Sequence, residues 1–248
     1  MTAPDLSQVE IPNTAATSEE FEFAALSHAR NYRRKLMKEF STVCSGDLLE
    51  IGVGIGQIVE ELLTFPAIRS ISALEPDERF ASRFREKFPD IPLFACTTDK
   101  LGPDVEFDTI VCVNVLEHIR DDLDELMRMR RLLEKRKGHL ALLVPARAEI
   151  YSHIDNDFGH WRRYNLRDLK KKLSTAGFVT KRIRYYNFAG YFAWALNFRV
   201  LRRRHFDIAS VRTFDALIFP WVNWIERRIV SPCIGQSLLV IAQAGRQG

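Results

Sequence analysis

The sequence predicts an α/β protein with a mainly parallel sheet wound by helices on both faces. Short apolar runs alternate with amphipathic segments along most of the chain, the order in which parallel strands and crossover helices follow one another. The first run, Leu48 to Ile51, contains an acid and leads into alternating glycines, Glu50-x-Gly52-x-Gly54-x-Gly56. An apolar-periodic stretch, Gln57 to Leu63, follows them. That succession reads as buried strand, tight turn and helix N-terminus, which brings backbone N–H groups and a helix dipole against a ligand. At 248 residues and 46% hydrophobic content, the chain is long enough for one substantial core with additions.

The glycine spacing narrows the ligand. A dinucleotide fingerprint needs its third glycine at position 57, which is Gln57. The second run, Ser70 to Leu74, ends in Glu75, nineteen residues after Gly56. A carboxylate there can accept hydrogen bonds from both ribose hydroxyls and repel a 2′-phosphate; a merely solvated acid at a strand end is the alternative. The third run, Ile91 to Cys96, leads to Thr97-Thr98-Asp99. The fourth is Phe107-Asp108 and an apolar stretch, then Asn114-Val115-Leu116-Glu117-His118-Ile119. A helix from Asp121 to Lys137 and a fifth strand, Gly138 to Pro145, come next.

Taken in order, the Glu-x-Gly-x-Gly-x-Gly turn, the "FD-apolar run-N-x-LEHI" stretch and the "helix, Gly, strand, VP" stretch resemble the class I S-adenosylmethionine-dependent methyltransferases. The resemblance covers about residues 30 to 188 and returns weakly near the C-terminus. It implies a Rossmann-like, mostly parallel seven-stranded sheet and S-adenosylmethionine as cofactor. It further implies that Gly52, Gly54 and Gly56 admit the amino-acid end of the cofactor and that Glu50 faces its ammonium group. Asn114, Leu116 and Glu117 would lie beside its methionine part. Asp99 matches an acid that reaches the adenine amine, and equally suits a turn cap.

Residues 1 to 20 are polar and acidic with neither a basic n-region nor an apolar h-region, so a disordered tail and no secretory signal are expected. From Phe21 to Phe40 an amphipathic helix is expected, with Tyr32, Leu36, Met37 and Phe40 on related faces. In the resembling family such a helix closes over the cofactor, a pattern that Asn31 and Tyr32 fit; otherwise Tyr32 simply anchors the helix on the core. Four cysteines without a C-x-x-C pair point to reduced core residues of a cytoplasmic protein, not to a metal site or disulfides, and no metal is expected.

The substrate side centres on Tyr151 to Tyr164, which resembles a "GH-aromatic-RRY" motif in a subgroup of bacterial methyltransferases. Here His160 can take a proton from a hydroxyl or amine, and Arg162 or Arg163 can hold a carboxylate or phosphate. His160, Arg163 and Tyr164 are the catalytic candidates. The competing reading is a structural loop whose arginines pair with Asp155 and Asp157. A helix from Asn165 to Ala176, capped at Gly177, and a strand from Phe178 to Asn187 continue the fold. The seventh strand is expected at Gln236 to Gln243, so the cofactor-binding domain comprises residues 21–187 and 236–245. The aromatic-rich insert, 188–235, reads as a helical cap and the place for an apolar substrate pocket.

Net charge is +4 overall, but thirteen cationic residues and one acid, Asp168, lie between His160 and Arg204. Such a run is usually a solvated face; peripheral contact with an anionic membrane surface is the other reading. The stretch from Tyr185 to Val200 is too short and too polar to span a bilayer. A nucleic-acid substrate is not expected, because the fourth strand ends in Asn-Val-Leu-Glu instead of the Asn/Asp-Pro-Pro-Tyr/Phe loop of base-modifying relatives. The leading function is therefore methyl transfer to a small, acidic or lipid-like acceptor. A non-catalytic cofactor-binding or interaction module is the alternative, with an NAD-dependent oxidoreductase a distant third.

Overall fold

A computed structural model describes residues 28–203, 208–228 and 233–245, so the expected tail, residues 1–20, lies outside the described residues. Strands β1 (Gly46–Ile51), β2 (Ile68–Leu74), β3 (Leu93–Phe94), β4 (Thr109–Val113) and β5 (His139–Pro145) run parallel. Strand β7 (Ser237–Ala244) lies antiparallel between β5 and β6 (Phe178–Tyr186). The order across the sheet is β3-β2-β1-β4-β5-β7-β6, so the winding reverses between β1 and β4. Open α/β sheets bind ligands beyond the carboxyl ends of the strands at this reversal.

The central strands are apolar along their length because helices cover both faces. Residues Leu140 to Val144 of β5 are fully buried. On one face α4 (Asp122–Glu134) and α6 (Leu166–Thr175) contribute Leu126, Met129, Leu133, Leu169 and Leu173 to the core. On the other, α1 (Arg30–Phe40), α2 (Gln57–Leu62) and α3 (Glu78–Lys87) contribute Leu36, Phe40, Val59, Leu62 and Phe84. Burial of each such side chain contributes about 1.5–3 kcal/mol.

The expected boundaries shift for local reasons. The fourth helix ends at Glu134, and Lys137 has a φ of +52° before Gly138, whose Cβ would meet the Asp108 carbonyl at 2.6 Å. Strand β3 is reduced to two residues because it sits at the sheet edge with β2 as its sole partner. The stretch 151–164 is not all loop: α5 (His153–Asp157) forms inside it, with Ser152 and Asp155 in a reciprocal capping box.

Between β6 and β7 come α7 (Phe188–Trp194), α8 (Ile208–Thr213) and α9 (Phe219–Arg228), with π-helical stretches at Ala195–Val200 and Phe214–Ile218. Two features tie this region down over the sheet edge. Ile150, Ile154 and Phe158 form a separate apolar cluster with Trp194 and Phe198. Asp215, buried in the second π-helical stretch, accepts the N–H groups of Asn31 (2.9 Å) and Tyr32 (2.8 Å), capping the first turn of α1.

Candidate functional site

At the tip of β1, Gly52, Gly54 and Gly56 all have positive φ (71°, 54° and 82°). A Cβ on Gly52 would meet Val115 Cγ2 at 2.3 Å, because the tips of β1 and β4 stand side by side. Only glycine allows this turn and this approach together. The turn is closed by Glu75, whose carboxylate accepts the N–H groups of Gly54 (2.9 Å) and Asp77 (3.0 Å). Glu50 is 3% exposed, and its Oε2 has no hydrogen-bond partner among the described residues. Burial, and then the nearby Glu75 carboxylate, push the Glu50 carboxyl well above its ordinary range. A buried acid with an unengaged oxygen beside a second acid, next to a glycine turn at a strand tip, fits the ammonium end of S-adenosylmethionine.

Asp99, by contrast, is exposed in a short 3₁₀ turn, where Thr97 Oγ1 donates to it and Lys100 pairs with it. The hydrogen bond from Thr97 holds its carboxyl below the usual range. These contacts are local to the turn and leave the residue at the protein surface.

Beyond the tip of β4 a cavity of about 560 Å³ opens between the sheet edge and the helices of 188–228. Asn114, Glu117, His160 and Arg163 supply one part of its polar lining and Asp215 and Gln236 another, while Trp194, Phe198, Phe214 and Phe219 supply much of its apolar wall. Asn114 takes a left-handed φ of +53°, which asparagine tolerates better than most residues. Tyr32 lines the cavity and packs against Tyr186 and Phe219, as an anchor of the helix on the core would.

The polar wall is organised around Asp155, which is fully buried. Its Oδ1 meets His160 Nδ1 at 3.1 Å and accepts from Arg163 Nε at 2.8 Å; its Oδ2 accepts the Ser152 N–H at 2.8 Å. Burial works to raise this carboxyl, but the His160 hydrogen bond, the Arg163 charge and Ser152 outweigh it and hold it below the usual range. Arg163 stacks over Trp194, 4.4 Å from the ring centroid, and donates to the Ala146 carbonyl. His118 lies edge-on to His160 with centroids 4.7 Å apart, and burial, then His160, lower its pKa to about 4.

Two expectations for this segment need correction. Tyr164 is 3% exposed and belongs to the core; its hydroxyl donates to Asp122 (2.9 Å) and is pushed upward by burial, so it anchors the loop and does not reach the cavity. Arg162 pairs with Asp122 (2.7 Å) and the Arg120 carbonyl instead of Asp157, because the segment runs back over the start of α4. Leu116 is likewise fully buried, and its backbone carbonyl accepts from Tyr164. Sequence reasoning missed Asp155 as the group that orients His160, and it missed His118. The adjacency of His118 to Glu117 was the available signal.

The fold and the strand-tip site together define a ligand-binding protein of the doubly wound α/β class. A family model described as a methyltransferase domain matches residues 23–182, and the chain belongs to that family. Among solved structures it is similar to an S-adenosylmethionine-dependent methyltransferase from Thermotoga maritima (19% identity, 90% of this chain and 94% of that one, TM-score 0.61). A second is one from Mesorhizobium loti (16%, 80% and 91%, TM-score 0.55). A third is a Haloferax volcanii methyltransferase seen in complex with its activator Trm112 (15%, 94% and 99%, TM-score 0.61). No curated protein is similar enough in sequence to match. The fold is the Rossmann-like fold of class I methyltransferases, and S-adenosylmethionine is the cofactor.

Proposed function

We propose that the chain is a methyltransferase whose acceptor is a small, acidic and partly apolar molecule bound in the 560 Å³ cavity. One observation carries this reading. The cavity joins a guanidinium, Arg163, and an imidazole, His160, to an aromatic wall, and it opens at the β4 tip where Asn114 stands. Glu50, Gly52, Gly54, Gly56 and Glu75 are the residues that would hold S-adenosylmethionine, with Asn114, Leu116 and Glu117 along its methionine side and Asp99 toward the adenine. The bound cofactor supplies a sulfonium methyl that leaves onto a neutral thioether. The protein's task is then to align the acceptor, exclude water and remove a proton where the acceptor carries one.

His160 is the residue placed for that proton. Asp155 holds its Nδ1 side, and the residue lines the cavity proposed for the acceptor. His160→Ala should lower turnover by about 10²–10⁴ while S-adenosylhomocysteine affinity, read by calorimetry, stays near wild type. Equal loss of both would instead make the 153–164 segment part of the cofactor site.

The protein is expected to work in the cytoplasm, in contact with an anionic membrane surface. Among the described residues no helix is long and apolar enough to cross a membrane. Leu196, Val200, Leu217, Trp221 and Trp224 are nonetheless more than half exposed; exposed Arg199 shares the π-helical stretch of Leu196 and Val200, and exposed Arg202 and Arg203 follow its end.

A further inference from the structure

We propose that Glu117, His118 and His160 form a binding site for a divalent first-row transition ion of the zinc class, with its open coordination facing the cavity. The three side chains each offer one ligand atom, and these atoms all lie within 4.8 Å of one another. Two imidazoles and a carboxylate without thiolate favour zinc-class ions over magnesium or calcium, which prefer all-oxygen shells. Three protein ligands with the remaining position left to a small molecule is the pattern of reactive zinc sites, as distinct from closed structural ones.

Three independent features support the assignment. His160 presents Nδ1 to a buried carboxylate, Asp155, at 3.1 Å. A metal-bound histidine is usually oriented in this way through its other nitrogen. Next, the two segments that bring the ligands are fastened together. Trp161 N–H donates to the Glu117 carbonyl (2.9 Å), Arg162 to the Arg120 carbonyl (2.6 Å) and the Tyr164 hydroxyl to the Leu116 carbonyl (3.2 Å). The ligand atoms are therefore held near one another before any ion arrives, as a preorganised site requires. The third feature is charge. Glu117 and Asp155 are both fully buried and both act on the Arg163 guanidinium, which pairs directly with Asp155. A divalent ion would add positive charge beside buried carboxylates, where burying negative charge is expensive.

A tetrahedral ion with ligands at 2.0–2.2 Å has ligand atoms about 3.4 Å apart. The present upper bound of 4.8 Å leaves such a shell within reach of side-chain adjustment. Glu117 and His160 line the cavity, so an acceptor oxygen entering it would complete the shell. The ion would lower the pKa of a bound hydroxyl, which can then lose its proton to solvent, with His160 serving as ligand instead of base. This inference deepens the proposed acceptor site and assigns Glu117 to the ion in preference to the cofactor. It is tested by metal binding alone, so it can fail while the methyltransferase reading stands.

The experiment uses the full chain without a histidine tag, stripped with chelator and titrated with Zn²⁺, Co²⁺ and Mg²⁺. One Zn²⁺ per chain should bind, Mg²⁺ should bind at least a hundredfold more weakly, and Co²⁺ should give the visible absorption of a nitrogen-and-oxygen site without thiolate charge transfer. Glu117→Gln, His118→Asn and His160→Asn, each confirmed as folded by circular dichroism, should each weaken Zn²⁺ binding tenfold or more. A folded wild type that takes up no stoichiometric Zn²⁺ would overturn the proposal. So would Zn²⁺ affinity that survives two of the three substitutions or depends on Cys233, and so would tighter binding of Mg²⁺ than of Zn²⁺.

Discussion

Burying the Glu50 carboxylate beside Glu75 costs free energy that no described hydrogen bond to Oε2 offsets, and it raises the carboxyl pKa in the ligand-free fold. A raised folded value means that the folded state binds the proton more tightly than the unfolded chain does. Wild-type stability relative to Glu50→Gln should therefore fall as pH rises above the unfolded value of about 4.3, and level off only above the folded value. Thermal unfolding of the two proteins between pH 4.5 and 8 checks the sign. S-adenosylhomocysteine should respond in the opposite direction, binding Glu50→Gln about 10- to 100-fold more weakly, the scale of a hydrogen bond to a charged group. A variant that is both more stable and undiminished in binding would remove Glu50 from the cofactor's ammonium. The Gly52, Gly54 and Gly56 spacing is legible in sequence because the turn runs through positive φ at each of them, and Glu50 is legible with it because its place before the turn is fixed. Asp155 is not legible in the same way. Its role comes from a fold-back that places it against His160 and Arg163, and an aspartate in a polar stretch looks the same whether it is solvated or fully buried.

Among the elements, the 158–164 segment is held by α4 and α6 through one carboxylate. Asp122, at the start of α4, accepts from Tyr164 (2.9 Å) and pairs with Arg162 (2.7 Å) and Lys172 (2.5 Å). Burial works to raise this carboxyl, yet the Lys172, Arg162 and Tyr164 contacts outweigh it and keep it below the ordinary range. Its contribution to stability is therefore fully present above the unfolded value of about 3.9 and is lost as pH falls through the lower folded value. Asp122→Asn should cost about 1–3 kcal/mol at pH 7, with the gap to wild type closing below about pH 4. Urea unfolding at the two pH values measures this; a gap independent of pH would mean that shape and not charge is what Asp122 supplies. Element identities on the sheet were readable from period and punctuation, since strands buried on both faces must be apolar runs. The short α5 and the π-helical stretches were not. Five- and six-residue turns carry too few residues for a period, and their apolar side chains face neighbours distant in sequence, as Ile154 and Phe158 do with Trp194 and Phe198.

At the scale of the whole molecule, the sheet is complete without the helices of 188–228, and those helices leave apolar surface facing outward. Trp221 is 71% exposed, Val200 67% and Leu217 66%, whereas isolated exposed apolar residues on a soluble protein need no explanation. Here α9 packs against α7, so the exposed Trp221 and Trp224 of one helix and Phe192 of the other sit on elements in contact. The exposed Arg199 lies in the π-helical stretch that continues α7, and the exposed Arg202 and Arg203 follow it. That combination suits the headgroup boundary of a bilayer: aromatic rings enter it, and each cation near the surface contributes about 1 kcal/mol toward anionic lipid. It would also bring a cavity walled by Trp194 and Phe198 close to amphipathic acceptors dissolved in the membrane. The expected outcome is sedimentation with liposomes that increases with anionic lipid content from zero to roughly half and falls steeply between low and high salt, because exposed charges are screened over about 8 Å at physiological ionic strength. Replacing Arg199, Arg202 and Arg203 with alanine should remove the lipid dependence, while Trp221→Ser with Trp224→Ser should weaken binding at every lipid composition. S-adenosylhomocysteine affinity, with its proposed site at the tips of β1 and β2, should be the same in both variants. Wild-type protein that stays in the supernatant at every lipid composition would return the arginines to a solvated helix face and leave the exposed tryptophans for a protein partner.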